Sequence, residues 1–368
     1  MKIAIDTYGC DHGKSGLGSY LINFISNIPS DCKDDIELFG SEIDRYTYTS
    51  EKEITFNAVL PFENERLEEL WHLRKINKFL SKNDYDVVIY PAVEKVFPLK
   101  FKTKSIAVVN SIMSSVLEKA DKAKKRHLKH GLVKVSLIIA ASEFIKQDLL
   151  KLGIEESKII VIYNGIDHKK FFPNVDPFSD VVEINPFSIK KPYFLYCSRL
   201  SDIDKKHEQL IKAFSIFKKK TGLPHRLVIS GSEGEYSEKI HRVAFNSDYA
   251  SDILLTGFFP HESLPKLYAG AESCIFPASK EGVGLPILEA MACGIPVACS
   301  NSGVLPEVGG DVPIYFDSDD VYDIAYSMQK VVSDKNLSSE MVKKGLERAA
   351  QFNWNDTVIK TLEAAAKL

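Results

Sequence analysis

A chain of 368 residues is long for one domain and comfortable for two, each large enough to bury its own core. With 45% hydrophobic and 26% charged residues, its composition is that of an ordinary soluble globular protein. The net charge of −3 excludes a global basic field, so nucleic acid is not an expected partner.

The first element is KIAIDT (2–7), a short strand-like run without the longer apolar stretch of a signal peptide. No run of about 18 apolar residues occurs anywhere, so no membrane-spanning segment is expected. The turn that follows reads TYGCDHGKSGLGSYL. Gly9 and Gly13 leave three intervening residues where a phosphate-cradling P-loop needs four, and Gly16-x-Gly18 is followed by Leu21 where a dinucleotide fingerprint needs glycine. Neither motif fits; a tight turn with no ligand is the plain reading for Gly9 and Gly13. His12, a lone histidine in this turn, reads as structural.

Strand-like runs continue at DVVIYP (86–91), SIAVVN (105–110), LIIAAS (137–142) and KIIVIYN (158–164). Between them, EKADKAKKRHLKHGLVK (118–134) carries seven Lys and Arg against two acids. A solvated helix face is its default reading, and attraction to an anionic membrane or acceptor is the functional one. Residues 168–192 hold Pro173, Pro177, Pro186 and Pro192 with little periodicity, and an interdomain linker is expected at 171–190. A second series follows at YFLYCS (193–198), RLVISG (226–231), DILLTG (252–257), SCIFPA (273–278) and PVACS (296–300). Near-continuous apolar strands separated by helices indicate α/β architecture, with parallel sheets covered on both faces. The expected layout is a first doubly wound domain at 1–170, a second at 191–350, and a capped tail helix at 351–368. Ligands in such sheets bind beyond the carboxyl ends of the strands, so two facing sheets would make a cleft. The six cysteines form no C-x-x-C and no zinc-spaced cluster, and several lie in apolar runs. They read as free thiols in a reduced, cytoplasmic compartment.

Two stretches of the second half carry chemistry. In SCIFPASKEGVGLPILEAMACGIPVACS a strand runs into a turn holding Glu281, Gly282 and Gly284, and a helix starts near Pro286. Glycines there let backbone approach a ligand, and the helix N-terminus offers unpaired N–H groups and a positive dipole end, a seat for a diphosphate. Glu289 lies in a helix apolar nearly all round, where a buried carboxylate needs partners such as ribose hydroxyls. Glu281 could face a sugar; the bland alternative is that Glu281 caps the helix and Glu289 reaches solvent. Upstream, YFLYCSRLSDIDKKHEQLIKAF places Arg199 and Lys205 around a strand-to-helix turn, before the apolar stripe Leu210, Ile211, Phe214 and Phe217. Two fixed cations there can neutralise a departing nucleoside diphosphate in place of a metal ion. An exposed charged turn is the alternative, and it is the expected reading for Asp204 and Lys206.

These stretches, together with NGID (164–167), SEFIKQDL (142–149), LTGFFPHESLPKLYAGA (255–271), NSGVLPEVGGD (301–311) and the closing FNW, resemble the retaining glycosyltransferases of family 4 over nearly the whole chain. The resemblance implies a GT-B fold, two Rossmann-like domains with parallel sheets facing a central cleft, the first holding the acceptor and the second the donor. It implies that Glu289 binds the ribose, Glu281 the donor sugar, and Arg199 with Lys205 the diphosphate. Gly282, Val283, Gly284, Leu285 and Gly257 would line the donor site through their backbone, and Gly16 and Gly18 would approach its phosphates from a first-domain glycine loop. The tail helix would cross back onto the first domain. The implied reaction moves a hexose to a hydroxyl of a glycan or glycolipid, as in cell-surface polysaccharide synthesis, with no metal and no cofactor besides the nucleotide sugar itself. The SGLGSY and NSGVLPEVGGD stretches look more like the family's mannosyltransferases, which favours GDP-mannose, with a UDP-hexose as the alternative donor. Where family members carry a His-Asp pair after the SIAVVN strand, this chain has Asn110 and Ser111. Asn cannot accept a proton, so any acceptor-side base, His12 included, must come from elsewhere. Rival readings are a nucleotide-sugar epimerase on the same fold and a non-catalytic nucleotide-sugar-binding subunit.

Overall fold

The computed structural model describes residues 1–50, 52–59, 65–95, 97–174, 179–259 and 261–368. Pro177 of the expected linker and Pro260 of the LTGFFPHESLPK stretch lie outside the described residues. The chain divides into two compact units, Met1–Gly165 with Asn353–Leu368, and Ile166–Phe352.

The first unit is built on β1 (Lys2–Asp6), β2 (Asp35–Ser41), β3 (Thr55–Val59), β4 (Val87–Tyr90), β5 (Lys104–Val109), β6 (Leu137–Ala140) and β7 (Ile159–Val161). They form one parallel sheet in the order β3-β2-β1-β4-β5-β6-β7. All four residues of β4 and of β6 are buried, as strands covered on both faces must be. Ile3 sits between Ile36 and Val87 in register, which places three branched side chains in a row across the core.

Two helices share one face of this sheet. The helix Gly16–Ser26 buries Tyr20, Leu21 and Phe24, and Ser15 caps it by accepting from the Gly18 amide. The helix Trp354–Ala366, capped by Asn353 accepting from the Asp356 amide, buries Trp354, Val358 and Leu362 into the same core cluster. Tyr20 and Trp354 meet edge to face at 5.5 Å, and the Thr357 hydroxyl donates to the Tyr163 carbonyl. Gly165 makes the crossing possible, because a Cβ there would stand 2.2 Å from the Trp354 nitrogen.

The basic stretch forms the helix Lys122–Lys134, capped by Asp121. Leu128, Gly131 and Leu132 face inward and Gly131 admits the Phe97 ring, while Lys122, Lys125, Arg126, Lys129 and Lys134 are exposed.

The second unit contains β8 (Val181–Ile184), β9 (Phe187–Lys190), β10 (Tyr193–Cys197), β11 (Arg226–Ser230), β12 (Ile253–Gly257), β13 (Ser273–Phe276), β14 (Val297–Ser300) and β15 (Ile314–Phe316). The last six form a parallel sheet in the order β12-β11-β10-β13-β14-β15. Relative to its own start, the second sheet runs 3-2-1-4-5-6, the doubly wound order, and the first runs the same way with a seventh strand added at the far edge.

β8 and β9 pair as an antiparallel hairpin inside the span expected to be a linker. Val182, Ile184 and Ile189 are buried while Glu183, Ser188 and Lys190 face out, a period of two too short to stand out among the prolines. Gly270, where a Cβ would fall 2.3 Å from a Val182 methyl, lets the hairpin close against the helix Leu264–Ala269.

All six cysteines are free thiols. Among the described residues no helix is long and apolar enough to cross a membrane.

Candidate functional site

In the second sheet the chain winds outward to one side from β10 and to the other from β13, so the crevice for a ligand opens beyond the carboxyl ends of that pair. The loop after β10 carries Arg199 and Lys205, and the loop after β13 carries Glu281 to Gly284. The structure joins them: Lys205 Nζ lies 2.9 Å from Glu281 Oε2, both side chains being partly exposed. The other Glu281 oxygen stands 3.5 Å from the Gly284 amide, at the limit of a hydrogen bond.

Further ties fix the two loops. The Ser279 amide and hydroxyl both donate to the Asp204 carbonyl, Lys280 pairs with the Asp204 carboxylate, and Tyr196 donates to the Lys205 carbonyl. Lys206 adopts a left-handed backbone at φ +56° and its ammonium pairs with Asp319 at 2.6 Å. Asp204 and Lys206 are thus not the solvated turn expected of them. They stitch the turn to its neighbours at the entrance of the helix His207–Thr221.

Arg199 is exposed and pairs with no carboxylate among the described residues. The structure does not bring it into contact with the Lys205–Glu281 pair. Its loop is nonetheless well placed: Ser198 and Leu200 amides donate to the Ser230 and Ser232 carbonyls. A Cβ on Gly231 would lie 2.0 Å from the Ser198 carbonyl oxygen, and one on Gly234 would lie 2.7 Å from Ser201 Cα. Sequence reasoning passed over both glycines; their signal was the SGSEG stretch directly after a strand.

Gly284 has φ +75° and begins the helix Leu285–Ala292, with Pro286 in its first turn. A Cβ at Gly284 would also stand 2.6 Å from a Val308 methyl, so space and backbone conformation both demand glycine. Gly303, at φ +64°, was likewise missed: its missing side chain lets the Glu281 carbonyl approach and accept from the Val304 amide. Gly282 is buried and Val283 half-buried in the turn between. Gly257 ends β12, two strands away from β10, and a Cβ there would meet open space. Its carbonyl accepts from the Gly231 amide at 3.0 Å, and Gly231 in turn lies against Ser198 and Arg199.

Glu289 is 9% exposed in the apolar helix, and no lysine, arginine or histidine pairs with it among the described residues. Burial pushes its carboxyl up to about 7, with the Tyr268 hydroxyl close enough to hold part of that shift back. Its charge also bears on the Cys197 thiol, which places Glu289 near the carboxyl end of β10. A buried His207 beside Tyr196 is pushed down to about 4 by burial and stays neutral. One mouth thus gathers a cation–carboxylate pair, a helix N-terminus and a buried carboxyl needing hydroxyl donors. Such a set can hold an anion and a polyol together.

In the first unit, Gly16 and Gly18 are not in a loop as expected but in the first turn of the helix Gly16–Ser26. A Cβ at Gly18 would lie 2.4 Å from the Cys10 carbonyl oxygen, so its space is used by the turn before it. The Asn110 carboxamide accepts from Asn164, and the Ser111 hydroxyl donates to Glu94 at 2.7 Å. His12 is bound to Asp44 through Nδ1 at 2.6 Å.

Comparison with known proteins bears on the whole chain. Residues 180–348 match the family model described as glycosyl transferases group 1, and residues 34–170 match glycosyltransferase family 4. The O-antigen chain mannosyltransferase B of Escherichia coli is 29% identical over 241 residues, covering 65% of this chain and 63% of that protein. A GDP-mannose-dependent alpha-(1-6)-phosphatidylinositol monomannoside mannosyltransferase of Mycolicibacterium smegmatis is 28% identical over 199 residues, covering 52% and 51%. The chain thus spans less than two thirds of these relatives' length. The sucrose-phosphate synthase structure from Thermosynechococcus elongatus superposes with a TM-score of 0.78 at 18% identity, covering 100% of this chain and 98% of that one.

Proposed function

Since the chain belongs to the family 4 (group 1) glycosyltransferases with the GT-B fold, we propose that it transfers mannose from GDP-mannose to a hydroxyl of a glycan or glycolipid, with retention of anomeric configuration. The observation that carries this reading is the Lys205–Glu281 pair at the β10/β13 crevice, set beside the Gly284 helix start and the buried Glu289. A bound diphosphate would draw on Lys205 and on the exposed Arg199, two positive charges that would serve in place of a metal ion. Backbone amides at Gly284 and Leu285 would add the helix N-terminus to the phosphates. Freed from Lys205, Glu281 would turn to the sugar, and Glu289 would take the ribose hydroxyls. The second unit is then the donor-binding one and the first the acceptor-binding one. Mannose is favoured by the SGLGSY and NSGVLPEVGGD stretches and by the mannosyltransferases among the relatives. The exposed cations of the helix Lys122–Lys134 suit a peripheral seat on an anionic, cytoplasmic membrane face.

A thermal-shift panel of nucleotide sugars, followed by nucleoside diphosphate release with a mannose-terminated oligosaccharide, tests the reading. Stabilisation by GDP-mannose is expected, and stabilisation by UDP-sugars alone would overturn the choice of donor. Glu281→Ala should abolish transfer and leave nucleotide binding largely intact, whereas Glu289→Ala should weaken nucleotide binding itself. Equal loss of both properties in each variant would contradict this division of roles. The Asn110-Ser111 departure favours one second reading, a non-catalytic nucleotide-sugar-binding subunit, which would bind donor and release no diphosphate with any acceptor.

A further inference from the structure

The first sheet reverses its winding between β1 and β4, so the first unit has a ligand crevice of its own beyond the carboxyl ends of that pair. The turn leaving β4, closed by the Lys95 amide donating to the Ala92 carbonyl, carries Glu94 to that edge. Gly9, in the loop leaving β1, has φ +77°, and a Cβ there would fall 2.8 Å from the Lys95 Cβ and 3.0 Å from the Ala92 Cβ. Its missing side chain lets one loop press on the other and hold the Glu94 turn in place.

Beside Glu94, the loop after β5 supplies Asn110 and Ser111. Glu94 Oε1 accepts from the Ser111 hydroxyl at 2.7 Å, while Oε2 is buried with no hydrogen-bond partner among the described residues. Asn110 is half used in the same way. Its Oδ1 accepts from the Asn164 carboxamide at 2.9 Å, and its Nδ2 is buried with no partner among the described residues. Buried polar atoms are almost always paired, so an acceptor and a donor left over side by side call for a ligand that brings one of each. Glu94, Asn110 and Ser111 are each half-buried, which places these atoms just inside the surface rather than in the core of the sheet.

Charge narrows the chemistry of that ligand. Asp6, Asp11, Asp44 and Glu94 all bear on Cys10 in the loop after β1, a concentration of acids that disfavours a phosphate or a carboxylate. A cation is disfavoured by the Asn110 donor and by Lys95 and Lys124, which bear on Glu94. Burial holds the Glu94 carboxyl above its ordinary value, as befits a charge short of donors. Paired neutral hydroxyls suit both leftover atoms: one donates to Glu94 Oε2 and its neighbour accepts from Asn110 Nδ2. Adjacent hydroxyls on a sugar ring offer this arrangement.

We propose that Glu94 and Asn110 bind adjacent hydroxyls of a neutral sugar, the acceptor ring, within the first unit. Calling that sugar the acceptor rests on the glycosyl-transfer reading, which it deepens by naming the substrate class: a ring with two neighbouring free hydroxyls and no phosphate or carboxylate beside them.

Saturation-transfer NMR on the full chain without donor tests the site. The probes are methyl glycosides of mannose, glucose, galactose and N-acetylglucosamine, their monodeoxy analogues, glucuronate and a glucose phosphate. Glu94→Ala and Asn110→Ala should each weaken the best-bound neutral glycoside about tenfold or more, with the thermal shift produced by GDP-mannose unchanged. Glu94→Gln, which keeps the shape of the side chain, should restore part of the loss. One monodeoxy analogue should bind about tenfold more weakly to the wild type and lose nothing further on Glu94→Ala, a coupling that a purely structural role would not produce. Binding of no neutral glycoside, tighter binding of the uronate or the phosphate, or losses that couple to no ring hydroxyl would overturn the proposal. Equal binding by wild type and variants would overturn it too, leaving the two atoms to buried water. Glycoside binding that depends on Glu94, in a protein that releases no nucleoside diphosphate with any donor, would instead overturn the glycosyl-transfer reading and leave the sugar site standing.

Discussion

Glu289 couples stability to function through one proton. Its folded-state carboxyl sits near 7 against an ordinary 4.5, because burial penalises the charge. The folded protein therefore binds this proton more tightly than the unfolded chain, and stability on this account is full below about pH 4.5 and falls as pH rises through 7. A shift of that size amounts to something on the order of 3 kcal/mol. Glu289→Gln should accordingly raise stability in urea at pH 8, change it little at pH 4.5, and weaken binding of the nucleotide at either pH. A variant no more stable than wild type at pH 8 would refute the account. His207 runs the other way: its folded value near 4 means stability is full above about 6.5 and lost as pH falls toward 4. Lys205→Ala should slow transfer by about 3 kcal/mol of barrier, roughly a hundredfold in kcat at saturating donor. Glu289 is legible in the sequence because a carboxylate in a helix apolar on every side has nowhere else to go. The Lys205–Glu281 bond is not, since it joins positions 76 apart whose meeting depends on strand order.

Individual elements show the same division between local pattern and tertiary support. Strands such as β4, β6 and β10 stand out as unbroken apolar runs. β2 does not, because Glu37 interrupts it, and that carboxylate is tolerated only through Tyr85 and Asn57 from neighbouring elements and an ion pair to Lys2. β15 is a three-residue edge strand and the β8–β9 hairpin is two turns of alternation, both below the length at which periodicity speaks. The helix start at Gly284 is readable from its glycine and proline, though the reason for glycine lies partly in Val308, a residue of another helix. Gly284→Ala should cost about 1–3 kcal/mol in denaturant unfolding, and more than Ala substitution at Gly153, which shares a positive φ but meets open space. Trp354→Ala should destabilise the first unit by about 3–5 kcal/mol, since the indole fills a core shared with Tyr20.

For the molecule as a whole, the charge balance hides its distribution. A net charge of −3 coexists with a helix that turns five cations outward and its leucines inward. Each cation near an anionic bilayer contributes about 1 kcal/mol, so the protein should co-sediment with vesicles containing phosphatidylglycerol and release as salt is raised. Reversing Lys125, Arg126 and Lys129 to glutamate should abolish that binding; equal pelleting with neutral vesicles would argue against it. The α/β class follows from alternating runs alone.

The crossing of the tail helix has a consequence for biosynthesis. The ribosome finishes the first unit's sheet early, yet the face that Trp354, Val358 and Leu362 will cover stays open until the entire second unit has been made. At bacterial or eukaryotic elongation rates that wait is roughly 10 to 40 s, long enough for an exposed apolar groove to recruit a chaperone. A nascent chain stalled after Phe352 should therefore be protease-sensitive in its first unit, and adding residues 353–368 should render it resistant.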